Sequence, residues 1–138
     1  MTTGFDFSTD TARLDRALVH RWLSESSYWA RGRERRVQDA AIDGSRNYGV
    51  YAADGRQVAY ARVVTDGATF AWVCDVFVDP AERGHGVGKM LLAGVVADLE
   101  PLGLRRMALA TADAHGLYEQ FGFEVLATPE RWMVRGAN

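Results

Sequence analysis

Apolar residues recur at helical spacing near the start of the chain: Leu14, Leu18 and Trp22, joined by Val19 and Leu23. A period of about 3.6 residues puts them on one face and predicts an amphipathic helix. Thr9, Asp10 and Thr11 precede it, and their side-chain oxygens can cap its free N–H groups. Phe5-Asp6-Phe7 predicts a short first strand. Ser24–Gly32 breaks the helical period and reads as a loop. A second helix is predicted over Glu34–Ile42, stopping near Gly44.

The pattern then becomes strand-like. Residues 47–52 (NYGVYA) and 57–64 (QVAYARVV) flank Asp54-Gly55, a strong hairpin signal. Thr65-Asp66-Gly67 supplies the next turn. Thr69–Val78 (TFAWVCDVFV) is apolar enough for a strand buried on both faces, and Pro80 helps to stop it. Leu91, Val95 and Leu99, with Leu92 and Val96, form the apolar face of a further helix. Glu100-Pro101 and Gly103 end that helix. Residues 105–112 (RRMALATA) read as another strand. Asp113 is expected to cap a short helix holding Leu117, Tyr118 and Phe121, with Gly122 as its stop. Residues 123–127 (FEVLA) and 131–135 (RWMVR) read as closing strands. The order predicts an α/β (α+β) fold: a mixed sheet of about six to seven strands with about four helices, and an antiparallel meander leading into parallel pairing.

No repeat, low-complexity tract or linker interrupts residues 1–138, so one domain is expected. Hydrophobic residues make up 48% and charged residues 25%, and the formal net charge is −2. These values fit a globular chain without a basic field for nucleic acid. Arg31, Arg33, Arg35 and Arg36 cluster, diluted by Glu34 and Asp39. They read as a solvated helix face or as a contact for an anion. The single cysteine, Cys74, excludes an internal disulfide and argues against a cysteine-based zinc site. No metal is expected. The first residues lack a basic-then-apolar targeting pattern, and no apolar run is long enough to span a bilayer. A cytoplasmic protein without membrane contact, monomeric or homodimeric, is expected.

One segment departs from ordinary turn chemistry. Arg83-Gly84-His85-Gly86-Val87-Gly88-Lys89-Met90 places three glycines between a buried strand and an amphipathic helix. The nucleotide-hydrolase loop G-x-x-x-x-G-K-[ST] does not fit. Arg83 occupies its first glycine slot, and Met90 replaces the hydroxyl that would hold magnesium. The dinucleotide pattern G-x-G-x-x-G also fails, with Lys89 or Leu91 in its third slot. What remains is Arg-x-x-Gly-x-Gly. Glycines admit close backbone approach, and successive N–H groups at a helix start attract an anion such as pyrophosphate. The plain alternative is a strand-to-helix turn that binds nothing.

On these residues the chain resembles the GNAT N-acetyltransferase superfamily. DVFVDPAERGHGVGKMLLAGVV looks like its acetyl-CoA segment, and DAHGLYEQFGF (Asp113–Phe123) is similar to its late A-x-x-L-Y-x-x-x-G-F element. The resemblance implies a parallel pair of strands that splay apart, with acetyl-CoA between them. It implies cofactor contacts from Arg83, Gly84, His85, Gly86, Val87, Gly88 and Lys89, and from the backbone of Phe77 and Val78. Thr111 stands where many members have an asparagine that contacts pantetheine.

The implied reaction is direct attack of an amine on a thioester. Its needs are placement of both reactants, stabilisation of an oxyanion, a base for the amine and an acid for the departing thiolate. By resemblance Tyr118 is the acid, with core packing as its alternative role. Asp75, a charge inside an apolar strand, is a candidate base because burial raises a carboxyl pKa. Its alternative is a structural partner for an arginine or a backbone N–H. Tyr28 and Trp29, adjacent aromatics in the loop after the first helix, are candidates to wall an amine pocket or to lid the core. Trp72 and Trp132 read as packing residues. The expected activity is acetyl transfer to a small-molecule amine. A peptide amine and a non-catalytic acyl-CoA sensor stay open.

Overall fold

The computed structural model describes residues 4–136. The five strands are β1 (Phe5–Ser8), β2 (Arg46–Ala52), β3 (Gln57–Thr65), β4 (Phe70–Val78) and β5 (Arg106–Ala108). The helices are α1 (Arg16–Ser26), α2 (Arg35–Asp43), α3 (Val87–Leu99) and α4 (His115–Glu119). The sheet runs in the order β1-β2-β3-β4-β5. Its first four strands are antiparallel neighbours, and β5 joins β4 in parallel. Among the described residues no helix is long and apolar enough to cross a membrane.

The sheet is buried on both faces. Leu91, Leu92, Val95 and Leu99 of α3 cover one face, against Tyr48, Val50, Ala61, Val63 and Val73. Approach is close at Gly94, where a Cβ would stand 2.3 Å from the Phe7 ring. Val19, Trp22 and Leu23 of α1 and Ile42 of α2 cover the other face, against Tyr60 and Phe77. Helix α1 starts later than predicted. Asp10 caps only a short turn over Thr11–Arg13, and Asp15 accepts from Leu18 N at 3.1 Å to start the helix itself.

Two irregularities shape the site. First, β4 carries one extra residue: Arg62 of β3 faces Cys74 and Tyr60 faces Phe77, so Asp75 and Val76 together oppose Ala61. Asp75 is the one non-glycine residue with positive φ among those described, at 51°. Such a bulge switches the faces of the side chains beyond it. Ala71 and Val73 pack towards α3, whereas Phe77 stacks on Trp22 with ring centroids 5.3 Å apart. Second, β4 and β5 pair only from Phe70–Trp72 to Arg106–Ala108. Past Trp72 they separate and leave a gap.

The C-terminal expectation is corrected. Residues 123–127 and 131–135 form no strand, and a short turn over Pro129–Arg131 is the only regular element after α4 among the described residues. The sheet therefore has five strands, not six to seven. An alternating pattern specifies a strand only when an edge is available to pair with it, and among the described residues these pair with no edge of the sheet.

Candidate active site

A cleft of about 580 Å³ opens beside the far end of β4, beyond the stretch that pairs with β5. On the α3 side it is walled by Val76, Val78, Arg83, Gly84, Gly86, Val87, Gly88, Lys89, Ala114, Leu117 and Tyr118. On the α1 side it is walled by Ser26, Tyr28, Trp29 and Phe77. It thus joins the two faces of the sheet.

The glycine segment folds as a turn into α3. Gly84 and Gly86 take φ of 87° and 78°, values that a side chain would strain. The first amide of α3 to reach a carbonyl of its own helix is that of Met90, on Gly86 at 3.0 Å; earlier ones have no acceptor inside the helix. Gly88 is different. A Cβ there would meet Val78 and Leu117 at 3.7 and 3.8 Å, ordinary contact distances. The chain's own packing does not require glycine at 88, but a group lying against the helix start would. This fits a pyrophosphate cradle.

The open edge of β4 supplies further donors. Asp79 N bonds to Val58 O at 2.9 Å, so the alternation of an antiparallel ladder turns the amide of Phe77 to β3 as well. The amides of Val76 and Val78 face the gap. Phe77 also lines the cleft. The Arg83 guanidinium folds back, Nε donating to Val78 O at 3.3 Å.

Tyr118 is buried in the cleft wall, its ring edge-on to Phe123. Among the described residues its hydroxyl has no hydrogen-bond partner. Desolvation, with help from Tyr28 and Asp113, pushes its pKa up to about 12, so the proton stays on the oxygen at neutral pH. Tyr28 reaches across the cleft: its hydroxyl accepts from Ala112 N at 2.9 Å. Tyr28 and Trp29 meet edge to face at 4.9 Å and are 56% and 42% exposed, too open to lid a core.

Asp75 corrects an expectation. Its side chain is 1% exposed and does not line the cleft. Arg33 Nη1 and Arg62 Nε each donate to Oδ2 at 2.8 Å, and Trp29 Nε1 donates to Oδ1 at 3.0 Å. Burial alone would raise the pKa. Hydrogen bonds and charge from Arg33 and Arg62 outweigh it and hold the carboxyl below its ordinary value. The result is a fixed anion, not a strong base. Arg33 is likewise withdrawn from the solvated cluster, since it also donates to Gln38 Oε1 at 2.8 Å. The neighbouring Cys74 thiol is pushed up to about 11, chiefly by burial, which leaves it a poor nucleophile.

Thr111 and His85 also stand apart from the cleft wall. The Thr111 hydroxyl accepts from Ala114 N at 3.1 Å in the turn ahead of α4, and Asp113, expected to cap that helix, makes no cap bond to it. His85 Nδ1 lies 3.5 Å from Glu82. Asp113 itself lines the cleft and has no ion pair among the described residues. The other carboxylate in the wall, Glu82, is shared between His85 and Arg56. Sequence reasoning missed Asp113 in this place. An acidic residue ahead of a helix reads as a cap, and only the fold shows that α4 has no side-chain cap and that Asp113 turns to the cleft.

A profile of the Acetyltransferase (GNAT) family matches residues 15–123. The chain belongs to this family. It is 44% identical to a protein of Xanthomonas campestris pv. campestris whose crystal structure is assigned to the same family. That alignment covers 99% of this chain and 96% of that one, with a TM-score of 0.94. It is also 41% identical, over 70 residues, to the rice protein named serotonin N-acetyltransferase 2, chloroplastic; the alignment spans 50% of this chain and 35% of that protein. The alignments span only 35–50% of the length of the curated relatives. The ribosomal-protein-S18-alanine N-acetyltransferase of Escherichia coli shares the fold at a TM-score of 0.68 and 21% identity, over 87% of this chain and 77% of that one.

Proposed function

We propose that the chain transfers the acetyl group of acetyl-CoA to a primary amine of a small molecule, by direct attack in a ternary complex. One observation carries this reading: a single cleft joins an anion-holding helix start on one face of the sheet to an aromatic wall on the other. Acetyl-CoA supplies the activated acyl group. The amides at the start of α3, with Arg83 and Lys89 beside them, hold its pyrophosphate. The amides of Val76 and Val78 serve as donors to the pantetheine arm and the thioester oxygen. The side chains of His85 and Thr111 take no part in this reading.

The amine enters past Tyr28 and Trp29. Asp113, the wall carboxylate left without a basic partner, receives its ammonium group and takes up the proton. Asp75 positions Trp29 and leaves the proton transfer to others. Tyr118, still protonated at neutral pH, gives its proton to the departing sulfur. The cytosol is the proposed location.

Thiol release from acetyl-CoA tests the reading, with arylalkylamines, polyamines, amino acids and short peptides as acceptors. The name of the rice relative puts arylalkylamines first in that panel. Release with small amines, saturable in both substrates, is expected. Tight acetyl-CoA binding without release from any acceptor would replace the enzyme by a sensor.

A further inference from the structure

Lysine is among the commonest residues of soluble domains. Of this chain's 16 Lys and Arg residues, one is lysine and the rest are arginine. A guanidinium keeps its charge and takes up no acyl group, whereas a lysine amine, once neutral, is a nucleophile. The one lysine, Lys89, stands in the cleft wall, in the first turn of α3. It is exposed, and among the described residues it forms no ion pair. Glu82 in the same wall is taken up by His85 and Arg56. No acidic residue stands in the first turn of α3. A cation there meets the positive end of the helix dipole, so Lys89 is held against the helix's own preference. An incoming anion would be drawn to both.

We propose that Lys89 is a modification site: an acyl phosphate seats its phosphate on the α3 start and acetylates the Lys89 amine, which weakens the hold on CoA. The inference rests on the reading that this helix start holds pyrophosphate. The amides ahead of Met90, free of acceptors inside the helix, suit either phosphate group. An acyl phosphate carries its reactive carbonyl one oxygen away from the phosphate, so docking brings that carbon to a side chain on the same turn. Acetyl-CoA carries its carbonyl at the far end of the pantetheine arm, and its pyrophosphate covers the lysine. In the step itself the ammonium first loses a proton to water. The neutral nitrogen attacks the carbonyl carbon. An N–C bond forms, the C–O bond to phosphate breaks, and the second nitrogen proton leaves with hydrogen phosphate. The product is a neutral amide, bulkier than the ammonium, standing where the pyrophosphate would lie. Its formation also removes the conflict with the helix dipole, so the fold is spared. Bound CoA shields the lysine, which makes the modification a brake on the empty protein.

Peptide mass spectrometry on the full chain, incubated with acetyl phosphate and sampled over time, tests this. Acetylation of Lys89 is expected, faster in the folded chain than in the same chain unfolded in guanidinium chloride, and slowed by saturating CoA. A rate no faster when folded, or one that CoA leaves unchanged, would overturn the proposal. After exhaustive treatment and dialysis, the circular dichroism spectrum should be unchanged. The Kd for CoA, from calorimetry, should rise about 10- to 100-fold, the worth of one charge-assisted contact. Lys89→Arg keeps a cation and offers no amine, so the same treatment should leave its affinity at its own untreated value. Loss of affinity in that variant, or none in treated wild type, would also overturn the proposal. Untreated wild-type protein that fails to bind CoA would instead remove the cleft as a CoA site, and this proposal with it.

Discussion

The indole N–H of Trp29 donates to Oδ1 of Asp75 at 3.0 Å, which ties the aromatic wall of the cleft to the bulge of β4. The bulge turns Asp75 towards Arg33 and Arg62, and these hold the carboxylate that holds the indole. Any change along this chain of contacts is felt where the amine is proposed to enter.

Trp29→Ala removes the stacking surface and leaves acetyl-CoA binding alone. Aromatic contact with a cation is worth about 0.5–2 kcal/mol, so the acceptor KM should rise roughly 2- to 30-fold. Since the residue is 42% exposed, melting should fall by less than the about 3–5 kcal/mol typical of a buried Trp. Trp29→Phe keeps a ring but loses the N–H, and should fall between the two. A large melting loss with unchanged KM would make Trp29 a structural residue only.

Asp75→Asn leaves two largely buried guanidinium groups without their anion. Removing one member of a buried ion pair costs about 3–5 kcal/mol, and the urea midpoint at neutral pH should fall accordingly. The pH dependence has a definite sign. The folded pKa lies below the unfolded one, so the stabilisation is complete above about pH 4 and fades as pH drops through the folded value. The gap between wild type and variant should therefore narrow in acid. A gap that stays constant with pH would show that the carboxylate's charge is not what matters.

Tyr118→Phe keeps the ring against Phe123 and deletes the proposed acid. Turnover should fall about 10²- to 10⁴-fold, with acetyl-CoA affinity nearly unchanged. The wild-type pKa of about 12 means that this residue adds no alkaline limb to kcat at moderately basic pH. Full turnover of the variant, under conditions limited by chemistry, would leave Tyr118 as packing.

Gly88→Ala separates folding from binding. The added methyl meets only ordinary contacts within the chain, and alanine is the better helix former by about 1 kcal/mol. Melting should hold or rise, while the acetyl-CoA Kd should increase at least about tenfold, about 1.4 kcal/mol. Calorimetry showing unchanged affinity would remove the helix start from the binding site. Gly86→Glu is the less clean variant, because φ of 78° would strain any side chain there.

Much of this architecture was legible because the signals were local. The meander is marked by Asp54-Gly55 and by Thr65-Asp66-Gly67, and the loop by glycines whose positive φ is a backbone requirement. The failures lie where distant partners decide. Asp75 reads as a basic carboxylate until Arg33, 42 residues away, and Arg62 are seen to hold it. Tyr28 reads as a loop aromatic until its hydroxyl meets Ala112 N, 84 residues away. The β4 bulge leaves no trace in TFAWVCDVFV, since an extra residue is defined only against the neighbouring strand. The closing strands failed for the same reason, because alternation names a face and not a partner.

The separation of β4 from β5 past Trp72 bears on the order of events in turnover. A cleft reached from both faces of the sheet gives two reactants two doors. On the proposed reading neither has to wait for the other, so initial-rate plots should intersect, with no parallel-line pattern and no compulsory first substrate. The same holds on the way out, where the thiol can leave by the α3 side and the acetylated amine by the α1 side. Each product should then compete with the reactant that shares its door.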